Sequence, residues 1–192
     1  PSKTGRDGAV KYTDYAIGNF IKTAKTKPWF DNTVFVIVAD HCANSAGKTE
    51  LPVEKYKIPL MIYAPKLIKP QIVNKMASQI DTIPTLLAQL HWNYKSKFFG
   101  QNILDDDFKE RAFLGTYQKL GLIADNHLAI LEPGKKFKEF EVKRLEQFNF
   151  EYKELPADKK HKKDIISTYQ SASYLYDKKL NRKLVKGDDS NK

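Results

Sequence analysis

The sequence predicts an α/β fold, and three observations carry that reading. Tyr12, Ala16, Ile17, Phe20, Ile21 and Ala24 recur at the spacing of one helix face. Thr33-Val34-Phe35-Val36-Ile37-Val38-Ala39 is an unbroken β-branched and aromatic run. Such a run suits a strand buried on both faces, typical of a parallel sheet covered by helices. Beyond residue 110, short strand-like segments alternate with turn signals, the pattern of an antiparallel meander.

Each element follows in chain order. Residues 1–10, with Gly5 and Gly8, read as a loop. Thr13 and Asp14 are candidates for the first helix start; Lys22, Lys25 and Lys27 suit its negative end, and Pro28 stops it. After the apolar strand a polar loop begins at Asp40 and runs through Asn44, Ser45, Gly47 and Lys48. Ile58-Pro59-Leu60-Met61-Ile62-Tyr63 reads as the next strand, with Pro59 marking an edge or a strand start. Pro65 through Asn74 is a loop with a short extended piece. Ser78-Gln79-Ile80-Asp81-Thr82-Ile83-Pro84 then leads into the apolar run Thr85–Leu90; a cap residue and a first-turn Pro start a second helix there. Arg111–Tyr117, Gly121–Ala124, His127–Leu131 and Lys136–Val142 read as strands of a meander at the sheet edge, turning at Asp125-Asn126 and Pro133-Gly134. From Asp164, the residues Ile165, Ile166, Tyr169, Ala172, Leu175 and Tyr176 give a terminal amphipathic helix, followed by a frayed tail over Lys186–Lys192.

Composition narrows the function classes. The 192 residues suit one domain or a domain with an appendage, read as residues 1–150 and a terminal helix and tail over 151–192. With 41% hydrophobic and 29% charged residues the chain can build a core. Nine Gly, nine Pro and one Cys exclude collagen-like and disulfide-scaffold classes. No apolar run approaches the ~20 residues that span a bilayer, and the N-terminus has no signal-like apolar region. The missing initiator Met fits a piece of something longer. The net charge of +10 admits anionic partners, yet residues 1–104 hold 14 basic and 7 acidic residues and residues 105–192 hold 19 and 16, so it is not concentrated. The densest run, Lys159-Lys160-His161-Lys162-Lys163, lies between Asp158 and Asp164 and reads as a solvated helix start. No zinc-finger spacing, RNP-like aromatic motif or basic heptad accompanies it, so nucleic acid is not an expected partner.

Chemistry concentrates at Asp40-His41, directly after the apolar strand. Ligands and catalysts of open α/β sheets sit at the carboxyl ends of strands. A hard carboxylate oxygen beside an imidazole nitrogen suits Zn²⁺, Mn²⁺ or a similar divalent ion. The alternative is an Asp that caps the following turn beside an exposed His. Cys42 reads as a small half-buried residue, because neighbours in extended chain point to opposite faces and His41 is then not its base. His91 reads as a helix cap or core-edge residue, His127 as a structural residue facing the sheet, and His161 as solvated. No Ser stands in Gly-x-Ser-x-Gly. Gly5-Arg6-Asp7-Gly8 lacks phosphate-loop spacing, and Asp105-Asp106-Asp107 lacks the Gly and Glu of a calcium loop.

Four ordered blocks carry a family resemblance: Tyr12–Phe20, Asp31–His41, Tyr56–Pro65 and Ser78–Leu87. Together they resemble the C-terminal part of a sulfatase-like domain of the alkaline phosphatase superfamily, with the phosphoglycerol transferases, the group of lipoteichoic-acid synthase, as the most similar branch. The likeness covers roughly residues 10–104 and fades beyond. It implies an alkaline-phosphatase-like mixed sheet flanked by helices, here with an antiparallel meander and a terminal helix. It implies that Asp40 and His41 bind the catalytic divalent metal (Mn, Zn, Mg or Ca). It places the other ligands, a Glu and the nucleophilic Thr, and the phosphate-holding histidines upstream of this chain, so no catalytic nucleophile lies within it. The implied reaction is attack by that Thr on a phosphodiester head group, then transfer to an acceptor hydroxyl. The implied partners are an anionic phospholipid donor, a glycan or lipid acceptor, and the missing N-terminal part of the same protein. The implied setting is a bacterial cytoplasmic-membrane protein with this domain outside the cytoplasm, the chain itself being soluble. The blocks at 56–65 and 78–87 take structural roles. Two other readings stand beside this one: a sulfatase, although Cys42-Ala43-Asn44-Ser45-Ala46 is not the formylglycine motif, and a non-catalytic basic domain for anionic lipid or polymer. A sheet cut before its first strands leaves an open apolar edge, so association with the missing part or with another copy is expected.

Overall fold

The computed structural model describes residues 4–42, 51–146 and 149–182. Most of the polar loop through Asn44, Ser45, Gly47 and Lys48, and the Lys186–Lys192 tail, lie outside the described residues. The chain divides into two compact units, Pro1–Lys48 with Lys55–Ile72, and Thr49–Glu54 with Val73–Lys192.

The first unit opens with helix α1, Gly5–Ala24, where the sequence predicted a loop to residue 10. Gly5 and Gly8 each weaken a helix by about 1 kcal/mol relative to Ala. Asp7 in the first turn complements the helix dipole, and Ala9 through Lys11 carry the pattern back past Thr13. Ile17 and Ile21 are half-buried and Ala24 is buried, while Tyr12 and Phe20 remain exposed. Strand β1, Phe35–Val38, pairs antiparallel with β2, Leu60–Tyr63, from Phe35↔Tyr63 to Val38↔Leu60. The expected parallel, doubly covered strand is thus half-buried and antiparallel among the described residues. An apolar run reports burial and is silent on the direction of its neighbour, which the connection sets. An aromatic cluster surrounds Phe35: Phe20, Trp29, Phe30 and Tyr63 have ring centroids at 5.9, 6.3, 5.7 and 6.3 Å. Such pairs each add about 0.5–1.5 kcal/mol beyond area burial.

In the second unit, helix α2 (Thr82–Gln89) ends as a Schellman motif. The N–H groups of His91 and Trp92 donate to the carbonyls of Ala88 and Leu87 at 3.0 Å each, with His91 at φ 54°. His91 therefore caps the helix, as expected, through its backbone. The meander is a sheet of its own rather than the edge of the first. Its strands β3 (Arg111–Gly115), β4 (Leu120–Ala124), β5 (His127–Glu132), β6 (Lys136–Arg144) and β7 (Phe150–Leu155) run antiparallel in chain order. Strand β7 had no place in the sequence reading, because its alternating Glu and Lys hide the apolar positions Phe150, Tyr152 and Leu155. The Asp125-Asn126 turn has φ of 50° and 63°, the type I′ geometry that matches strand twist in a two-residue hairpin. Helix α3 spans Lys159–Asp177, five residues earlier than predicted, because the Asp158 carboxylate accepts from the N–H groups of Lys160 and His161.

Registry sets one sheet face: Phe113↔Leu122, Leu122↔Ala129, Ala129↔Glu139 and Glu139↔Leu155 are successive partners. Helix α3 buries Ile165 completely and sends Tyr169 to the sheet, edge-on to Phe113 at 6.0 Å. The Tyr169 hydroxyl lies 3.1 Å from the Leu114 carbonyl and 3.2 Å from that of Gly121, and burial pushes its pKa up to about 12. A raised phenol pKa contributes stability below the unfolded value of about 10. That contribution fades as pH rises through about 12. Tyr152, raised by burial and by the Glu54 carboxylate, acts in the same direction. Melting temperatures followed from pH 9 to pH 12 are expected to fall less steeply for Tyr169→Phe than for the parent chain; parallel curves would refute the assignment.

Candidate metal centre

Strand β1 delivers its carboxyl end to Asp40 and His41, and the local chain turns both side chains together. The Asp40 Oδ2 and His41 Nε2 atoms are 3.5 Å apart. The Asp40 side chain is 87% and that of His41 62% exposed. The His41 N–H donates to Asp40 Oδ1 at 2.8 Å, which holds the carboxylate over its own turn. His41 Nδ1 lies 2.9 Å from the Cys42 carbonyl oxygen. A carbonyl only accepts, so Nδ1 is the donor of this contact, the usual outer-shell arrangement of an imidazole that binds a metal through Nε2. One hard oxygen and one imidazole nitrogen within an ion's reach fit two positions of a divalent-metal set. Two ligands alone hold an ion poorly. The half-buried Cys42 thiol donates to the Lys55 carbonyl.

Asp81, in the block at 78–87, is fully buried and holds chain together. Its carboxylate accepts from Arg111 Nη2 at 2.9 Å and Nη1 at 3.2 Å, from the Gln101 N–H at 2.8 Å and from the Ser78 N–H at 2.9 Å. This is the structural role expected of that segment. Asp105–Asp107 form an exposed turn.

A second cluster was not foreseen. His127 at the start of β5 and His161 in the first turn of α3 converge on Glu139 of β6, with Nδ1 to Oε1 distances of 3.0 and 2.6 Å. His161 is thus half-buried and bonded, where the sequence predicted a solvated residue. Burial opposes ionisation of Glu139, but the Asp158 N–H and both imidazoles outweigh it and hold the carboxyl below its ordinary value. The three residues are 12 and 22 positions apart, so no local spacing reveals them. One signal was available: Glu139 shares its strand face with Phe137, an acid on an inward parity.

Comparison with known proteins finds several similar chains. The family profile described as Sulfatase matches residues 2–92. A phosphoglycerol transferase I of Xanthomonas campestris is 26% identical over 122 residues, 63% of this chain and 17% of the relative. A lipoteichoic acid synthase-like protein of Bacillus subtilis is 28% identical over 115 residues, 51% of this chain and 19% of the relative. This chain therefore matches less than a fifth of the length of those relatives. A crystal structure of an alkaline phosphatase superfamily protein from Vibrio parahaemolyticus superposes with TM-score 0.82 and 30% identity, covering 93% of this chain and 44% of that one. Among the described residues no helix is long and apolar enough to cross a membrane. Residues 2–92 match the Sulfatase family profile, on a chain that shares the fold of an alkaline phosphatase superfamily protein.

Proposed function

We propose that Asp40 and His41 supply part of the divalent-metal site of a phosphoglycerol-transferase-like enzyme. The observation that carries this reading is the convergence of Asp40 Oδ2 and His41 Nε2 to 3.5 Å at a strand's carboxyl end, inside the segment that matches the Sulfatase profile. A bound divalent ion there would lower a nucleophile's pKa and neutralise phosphate charge. The chain's own contribution is positional. The Asp40 carboxylate is held by the His41 N–H, and the His41 ring is aimed by the Cys42 carbonyl. The nucleophilic Thr, the remaining ligands and the phosphate-holding groups come from the rest of a longer protein, which acts outside the cytoplasm on an anionic phospholipid donor and a glycan or lipid acceptor. The exposed Tyr12, Phe20, Val38 and Met61 side chains are the apolar surface that this remaining part covers.

The test uses the full-length protein with phosphatidylglycerol vesicles, measuring release or transfer of glycerol phosphate. Asp40→Ala and His41→Ala are each expected to lower turnover about 100-fold or more, at least what loss of a metal's outer partners costs. Chelation is expected to abolish it. Near-normal turnover in either variant would overturn the metal assignment. Sulfate-ester hydrolysis without phosphodiester cleavage would replace the transferase by a sulfatase. Salt-sensitive vesicle binding without turnover, indifferent to Asp40→Ala, would replace both by a basic binding domain.

A further inference from the structure

The geometry points to a second metal site, independent of the first, in which His127, Glu139 and His161 bind one Zn²⁺ ion and staple helix α3 to the five-stranded sheet. These residues come from three elements, and one potential ligand atom of each lies within 4.8 Å of the others. The ligand set, two imidazoles and one carboxylate, is one that Zn²⁺ takes with a fourth position left for water.

Spacing supports an ion rather than a chance meeting of side chains. Around tetrahedral Zn²⁺, with bonds of about 2.0–2.1 Å, neighbouring ligand atoms sit roughly 3.3 Å apart. The two Nδ1 to Oε1 distances are 3.0 and 2.6 Å, so each of these pairs needs to open by less than 1 Å, and all three ligand atoms already lie within 4.8 Å of one another. Both rings already approach the same oxygen, 4.5 Å apart between centroids and inclined by 34°. Binding requires each ring to carry its proton on Nε2, so that an Nδ1 lone pair directed at the ion replaces the Nδ1–H directed at Oε1.

The outer contacts are those a metal carboxylate needs. Glu139 is 1% exposed, and its other oxygen, Oε2, accepts from the Asp158 N–H at 2.6 Å, which fixes the carboxylate and leaves Oε1 for the ion. The type I′ turn at Asp125-Asn126 sets the position of His127, and the Asp158 cap sets that of His161. Both rings keep part of their surface open, 32% for His127 and 20% for His161, which provides an entry path. The Asp158 carboxylate is committed to the Lys160 and His161 N–H groups and stays outside the set.

The experiment uses the full 192-residue chain carrying Asp40→Ala and His41→Ala, so that the first site contributes nothing. Metal-free protein is titrated with Zn²⁺ by calorimetry and with Co²⁺ by visible absorption, which reports tetrahedral nitrogen and oxygen ligands. One equivalent is expected to bind, and the melting temperature is expected to rise with free Zn²⁺ by mass action. Glu139→Gln is expected to weaken binding at least 100-fold. His127→Ala, at the more exposed ligand, is the variant expected to stay folded, and it should weaken binding at least 10-fold. Absence of binding in the parent, or a Zn²⁺ affinity unchanged by His127→Ala, would overturn the site.

Discussion

Replacing Asp81 with alanine is expected to lower the stability of the second unit by about 3–5 kcal/mol, the cost of breaking a buried ion pair from one side. Asp81 is 0% exposed and Arg111 only 14%, so the carboxylate is cut off from water and the guanidinium has little of it. The carboxylate satisfies four donors: two guanidinium nitrogens and the backbone N–H groups of Ser78 and Gln101. Alanine strands all of them. Among the described residues, Arg111 retains the Phe99 carbonyl at 3.1 Å and the faces of Phe108 and Phe113 at 5.7 and 5.6 Å. The main cost is the uncompensated cation, so the double variant Asp81→Leu, Arg111→Met should be less destabilised than Asp81→Ala alone. Denaturant unfolding measures both. A loss below about 1 kcal/mol for Asp81→Ala, the range of an exposed pair, would show that the network contributes nothing beyond surface electrostatics.

This network also shows where sequence reading stops. The segment Ser78–Pro84 was legible as a helix start, because capping chemistry and a first-turn Pro are local signals. That its carboxylate would bind Arg111, thirty positions away, was not, since no spacing rule links residues brought together by tertiary packing. The same divide separates the two metal candidates. Asp40 and His41 are adjacent and follow an apolar run, so position alone marked them. His127, Glu139 and His161 were legible only one at a time: one as a strand start, one as an acid on an inward parity, one as part of a basic run. The Asp125-Asn126 turn was readable because few residues tolerate two positive φ values in succession. The start of α1 was not, because Gly5 and Gly8 are loop signals that the Ala9–Lys11 segment overrides.

Gly100→Ala is expected to destabilise the same unit by about 3 kcal/mol, at the upper end of overpacking costs. A Cβ there would lie 1.9 Å from the Ile80 carbonyl oxygen, 2.5 Å from its carbon and 3.0 Å from the Asp81 nitrogen. All three are backbone atoms, so no rotamer change relieves the clash and one of the two chain segments must move. Moving either one pulls the Gln101 N–H from its 2.8 Å contact with Asp81 Oδ1. Part of the glycine's effect therefore acts through the carboxylate. The two substitutions are accordingly expected to be sub-additive: Gly100→Ala should cost less in an Asp81→Ala background than alone. Gly18 provides the contrast, since a Cβ there meets nothing within 4 Å and the residue lies inside α1. Gly18→Ala should stabilise by up to about 1 kcal/mol through helix propensity. If both glycines respond alike, close backbone approach is not what selects the residue at position 100. Full additivity with Asp81→Ala would instead separate that approach from the ion pair.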